Sequence, residues 1–186
     1  MKRLILFSVV SLAFAATASG AVQQGDTELE FLGGWFTQNG KTSSATDVDS
    51  FFLSGSIGYF ITDNIQLQGG GFGSWTSIGS GPGEVDIDLY GIGGRAKYHF
   101  MPTNQWVPYV GLQLYWANVD LGGGDVDGIL WGPVVGLRYE LNAYNDFFVE
   151  YQYHLWDGDL SKSPADGGAD RDDGHGIFLG IIHQFK

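Results

Sequence analysis

Cysteine is missing from all 186 residues, which excludes a disulfide framework, a thiolate metal site and a cysteine nucleophile together. Charge is scarce, at 16% of residues, too little for a coiled coil or an ordinary helical bundle. Positive charge is scarcest of all. Nine Lys and Arg stand against 21 Asp and Glu, a net charge of −12, so the basic footprint that duplex binding needs is lacking and no nucleic-acid partner is expected. After residue 22 there is also no run of about 18 apolar residues, and hence no transmembrane helix. What the chain does have is 44% hydrophobic residues, too many for an acidic disordered segment, and 30 glycines that follow no triplet period.

The first 21 residues have the three parts of a secretory leader. Lys2 and Arg3 precede the apolar run Leu4 to Ala16, and small residues follow with cleavage expected after Ala21 or, alternatively, after Ala18. Cleavage takes the net charge to −14 by removing the two leading bases, and leaves residues 22–186 as one domain outside the cytoplasm.

That domain alternates. Eight segments of about 10 to 12 residues put apolar side chains on one parity and Gly, small or polar residues on the other, the period of strands with two different faces. In the fourth segment, for example, Tyr90, Ile92, Ala96, Tyr98 and Phe100 oppose Leu89, Arg95, Lys97 and His99. In the seventh, Phe147, Val149, Tyr151, Tyr153 and Leu155 oppose Phe148, Glu150, Gln152 and His154. A soluble barrel would wet its polar parity, but here that parity is too narrow to coat an exterior while the apolar parity is long and unbroken. The pattern predicts an all-β, eight-stranded antiparallel up-and-down barrel with lipid outside and a polar interior, since only closed sheets and helices satisfy their backbone in hydrocarbon.

The tryptophans agree with that orientation. Trp35, Trp75, Trp116 and Trp131 fall on the apolar parity at the same end of their strands and predict one interfacial girdle; Tyr59, Tyr98, Phe100, Tyr139, Phe147 and Phe185 predict a second at the other end. The connections alternate too. Ile61 to Asn64, Met101 to Gln105 and Asn142 to Asp146 read as short turns; Thr37 to Asp49, Ser77 to Asp88, Asn118 to Gly128 and Asp157 to Gly174 read as long loops. Short periplasmic turns and long extracellular loops are the asymmetry of outer-membrane barrels, with both termini in the periplasm.

Residues 22–186 resemble the small eight-stranded outer-membrane proteins typified by OmpX and the transmembrane half of OmpA. The resemblance rests on Gly58 to Leu67 (GYFITDNIQL) at a turn, Pro108-Tyr109-Val110-Gly111 opening a strand, and a terminal strand ending at Phe185. It implies residence in the outer membrane as a monomer among lipid and lipopolysaccharide, after insertion by the barrel-assembly machinery. Lys186 follows the terminal aromatic residue on which the family usually ends, and the chain stops without the peptidoglycan-binding domain of OmpA-type proteins.

Eight strands leave an interior that side chains just fill, so a wide aqueous pore is excluded. The inward parity carries Glu28, Glu30, Glu140 and Glu150 against Arg95, Lys97 and Arg138, with His154 and several glutamines among them. A polar plug is expected, with a narrow ion path as the alternative. If the seventh strand turns back about Tyr144, Arg138 lies opposite Glu150 as a cross-strand ion pair. Of the 21 carboxylates, 14 fall in the four long loops, which makes the outer surface anionic. Asp125, Asp127, Asp170, Asp172 and Asp173 are oxygen ligands of the kind Ca²⁺ or Mg²⁺ prefers, as a weak site at most, since they match neither an EF-hand nor a calcium-binding repeat. No other cofactor is expected. The lipid A deacylases, barrels of this size, carry a lipid-facing His-x-Ser pair; here His154-Leu155-Trp156 has no serine and its histidine is on the inward parity. The expectation is a non-enzymatic barrel with an envelope-structural or surface-interaction role, a lipid-modifying enzyme being the more distant reading.

Overall fold

The computed structural model describes residues 22–38, 48–78, 85–120, 125–158 and 173–185. Eight strands, β1 (Thr27–Gln38), β2 (Val48–Phe60), β3 (Ile65–Ile78), β4 (Val85–His99), β5 (Trp106–Asp120), β6 (Asp125–Asn142), β7 (Asn145–Gly158) and β8 (Asp173–Phe185), pair in chain order and close into one antiparallel barrel. The leader and the middle of every long loop lie outside the described residues, and with them Asp170 and Asp172.

Strands of 12 to 18 residues are longer than the expected 10 to 12. The excess lies at the long-loop end, where alternation persists past the girdle: Asn118↔Asp127, Val119↔Val126 and Asp120↔Asp125 continue the β5–β6 ladder through residues expected to be loop. A strand rising about 3.4 Å per residue crosses hydrocarbon in roughly 9 to 11 residues, so these hairpins project beyond it.

At the short-turn end the chain reverses tightly. Thr62 Oγ1 accepts the backbone N–H of Ile65 at 2.9 Å, and the amide of Asn64 donates to the carbonyl of His99 at 2.7 Å, tying the first turn to the next hairpin. The last short turn is tighter than expected. Asn142 Oδ1 accepts the N–H groups of Tyr144 and Asn145, both at 3.0 Å, and only Ala143 and Tyr144 separate β6 from β7. A register shift between Glu140 and Asn142, at the end of β6, immediately precedes it.

Outward side chains are the apolar parity. Ile57 and Leu112 are each 62% exposed and Ile92 66%, the reverse of a water-soluble barrel. Inward, two apolar clusters line the lumen: Leu32, Tyr109, Phe148 and Ile182, and, farther toward the long loops, Tyr115, Ala117 and Leu130 with Phe72, Leu89 and Trp156 packed on them. Glycine makes the room. A Cβ on Gly136 would stand 2.1 Å from the Tyr109 ring, and one on Gly180 2.3 Å from the Phe148 ring.

Candidate functional site

The inward parity brings the charged side chains together as two linked clusters. Nearest the short turns, Arg138 donates from Nε to Asp146 Oδ2 at 2.5 Å and from Nη2 to Glu28 Oε1 at 2.6 Å. Gln66 donates to Glu28 at 2.7 Å and Gln184 to Asp146 at 2.8 Å, so both carboxylates are held by amides as well as by the guanidinium. His99, tilted between the rings of Phe60 and Tyr109, meets Gln66 Oε1 at 3.3 Å.

Toward the long loops, Glu30 and Glu150 each meet both Arg95 and Lys97. The Arg95 Nη1 contacts are 3.2 Å and 3.1 Å, and the Lys97 Nζ contacts 2.8 Å and 3.2 Å. Tyr109 donates its hydroxyl to Glu150 at 2.9 Å, Gln152 its amide to the same carboxylate at 2.7 Å, and Gln68 its amide to Glu30 at 3.0 Å. Gln68 also donates to Gln66 at 3.1 Å, which joins the two clusters. Lys97 lies over the rings of Tyr109 and Phe148, 4.8 and 5.5 Å from their centroids. A buried charge is tolerated only when paired and hydrogen-bonded, as these are.

Arg138 does not face Glu150. The register sets Arg138 against Phe148 and Gly136 against Glu150, because the two-residue turn moves the hairpin by one position from a reversal centred on Tyr144 and the irregularity between Glu140 and Asn142 moves it by a second. Parity survives a shift of two, so both side chains remain inward, but their partners change. Asp146, placed in the turn by sequence, is instead a β7 lumen residue that pairs with Arg138. The signal was its shared parity with Phe148 and Glu150. Tyr109, Gln66, Gln68 and Gln184 complete the network; each sits on an inward parity, but nothing in the sequence says which carboxylate each one meets.

Of the remaining sequence candidates, Glu140 is buried opposite Asp146 in the register. His154 is half-buried above the charged layer, its Nε2 2.9 Å from Gln152 Oε1. Three of the four histidines place a ring nitrogen against a side-chain amide, those of Gln66, Gln152 and Asn145. Trp35, Trp75, Trp116 and Trp131 all point outward on the long-loop halves of their strands, Trp35 72% exposed. Trp106, which the sequence reading did not include, joins the opposite belt and packs on Tyr139 at 4.4 Å between ring centroids. Asp127 accepts the Trp116 indole N–H at 3.3 Å and Asp173 the Tyr153 hydroxyl at 2.5 Å. Among the described residues no group of three His, Asp or Glu converges as a metal site.

A family model described as the outer membrane protein beta-barrel domain matches residues 5–185. Among solved structures, the chain is similar in fold to Neisserial surface protein A (NspA), with 20% identity over 86% of this chain and 96% of that one and a TM-score of 0.56. The N-terminal β-barrel domain of Pseudomonas aeruginosa OprF matches with 21% identity over 88% of this chain and 99% of that one, at a TM-score of 0.49.

Proposed function

The chain belongs to the outer membrane protein β-barrel family, and from that membership we propose that it is a non-enzymatic envelope protein whose lumen is closed to ions and whose acidic loops are the surface it presents to the medium. The supporting observation is the charged layer. Arg95, Lys97 and Arg138 are bridged to Glu28, Glu30, Asp146 and Glu150, and every one of these side chains is buried. An ion passing the lumen must open several of these contacts, and breaking one buried pair costs about 3–5 kcal/mol. With the short turns on the periplasmic side, the 14 carboxylates of the long loops and the strand ends that carry them face outward, where a field of one sign repels anions and attracts cationic partners.

Planar-bilayer recording tests this reading. The purified barrel inserts without conductance steps, whereas the variant Glu30→Ala/Glu150→Ala, which strips both carboxylates from the upper cluster, gives measurable current. Discrete steps from the unaltered protein would replace the closed barrel with a narrow ion path.

A further inference from the structure

Between the charged layer and the long loops the lumen holds a cavity of about 430 Å³, within the size range of pockets that take small organic ligands. Its walls are aromatic. Phe52 stacks on Phe72 at 5.7 Å and tilts against Phe178 at 4.9 Å, and Tyr115 meets Phe72 edge-on at 5.3 Å. The floor is polar and specific. Arg95 and Gln113 line it, and they are direct register partners on β4 and β5, so their side chains lie side by side on the inward face. The Arg95 side chain is 2% exposed and Gln113 3%. Arg95 Nη1 is taken by Glu30 and Glu150, but Arg95 Nε and Gln113 Nε2 are buried donors with no acceptor among the described residues. Two buried N–H donors on register partners, both without an acceptor, carry an appreciable desolvation cost, which a ligand oxygen would remove.

The cavity also reaches the outward face of the barrel. The β1–β8 ladder ends at Gly33↔Leu179 although both strands continue toward the long loops, and Gly34, Trp35, His175 and Ile177 line the cavity at that gap. Trp35 and Ile177 face lipid, so a compound dissolved in the bilayer interface has a lateral approach.

The charges select the ligand. Arg95 and Lys97 are already balanced by Glu30 and Glu150, so an anionic ligand would add an unpaired buried charge, whereas an uncharged acceptor would not. We propose that this cavity binds a small uncharged aromatic compound bearing one carbonyl oxygen, its ring among Phe52, Phe72 and Phe178 and its oxygen on Arg95 Nε–H and Gln113 Nε2–H. The site stands apart from the closed-lumen reading, because it sits on the long-loop side of the charged layer, with Arg95 of that layer as its floor, and needs no flux through it.

Equilibrium dialysis of protein-bearing against empty lipid nanodiscs tests it, with 2-acetylnaphthalene as the probe and 2-ethylnaphthalene and 2-naphthoate as comparators. The ketone binds saturably at one equivalent per barrel in excess of lipid uptake, and 2-naphthoate does not displace it. Gln113→Leu weakens the ketone by about fivefold, the size of one neutral hydrogen bond, and leaves the hydrocarbon unchanged. Ser74→Trp, which places a large ring in the cavity from its wall, abolishes saturable binding of both. Equal uptake by loaded and empty nanodiscs would overturn the proposal, as would tighter binding of 2-naphthoate than of the ketone. If Ser74→Trp does not fold, the Gln113→Leu comparison decides: equal losses for ketone and hydrocarbon refute the donor pair.

Discussion

Removing Arg138 should destabilise the barrel more than truncating a lipid-facing apolar residue to alanine. The guanidinium is 1% exposed and bridges two carboxylates from the strands on either side of β8, Glu28 on β1 and Asp146 on β7. In Arg138→Ala both anions stay buried, with Gln66 and Gln184 as their remaining amide donors. Stranding a buried charge in this way costs about 3–5 kcal/mol, or two to four decades in the folding equilibrium at about 1.4 kcal/mol per decade. Replacing the whole cluster is different in kind. Arg138→Met with Glu28→Gln and Asp146→Asn removes every charge and keeps the volume, and a neutral substitute for a buried ion cluster is often as stable as the original. Urea unfolding in lipid vesicles, followed by tryptophan fluorescence and by the mobility of unheated protein in gels, should show a large loss for the single variant and recovery of most of it in the triple. An unchanged midpoint in Arg138→Ala, or a triple variant no better than the single, would refute the argument that paired burial holds this end of the lumen.

Other perturbations separate the faces of the same strands. Leu112→Arg, on the lipid face, should cost about 2–4 kcal/mol near the bilayer midplane, read from the same urea titration. Phe148→Ala empties the centre of the lower apolar cluster, where the ring is fully buried, and should cost about 3–5 kcal/mol, with the unfolding midpoint as readout. Gly132→Ala would force a methyl group to within 1.9 Å of the Tyr153 carbonyl; it should lower stability by about 1–3 kcal/mol and speed amide exchange on neighbouring β6 and β7 residues. Cysteines at positions 35 and 177, the next outward pair beyond Gly33↔Leu179 in the β1–β8 register, should slow ketone loading when oxidised and restore it on reduction, in a chain with no other thiol to interfere.

The faces were legible in the sequence because a period of two survives every local irregularity that keeps the strand in its sheet. Glu28, Glu30, Arg95, Lys97, Arg138 and Glu150 could be assigned inward from neighbours alone. Their partners could not. Arg95 meets Glu150 across 55 residues and Arg138 meets Glu28 across 110, separations that only closure of the barrel brings together. The β6–β7 register depended on whether the chain reversed over two residues or five, where the Asn142 side chain accepts two backbone N–H groups, and on the further one-residue shift between Glu140 and Asn142. The interruption of that ladder near Gly132 and Pro133 likewise follows from a carbonyl approach no linear pattern contains, beside a residue with no N–H to donate. The cavity was hidden for the same reason: Arg95 and Gln113 become neighbours through register, and their spare donors appear only once the other contacts of Arg95 are fixed.

The claim at the centre of this account is that the charged layer is dry and interlocked, and exchange of the Arg138 Nε–H proton measures that directly. In ¹⁵N-labelled barrel reconstituted in nanodiscs, with the signal assigned by its loss in Arg138→Lys, that proton should persist far longer than one on an exposed guanidinium, because it is held on Asp146 inside a closed lumen. Exchange at the rate of an exposed arginine would mean that water fills the lumen at that level and that the layer does not close the barrel.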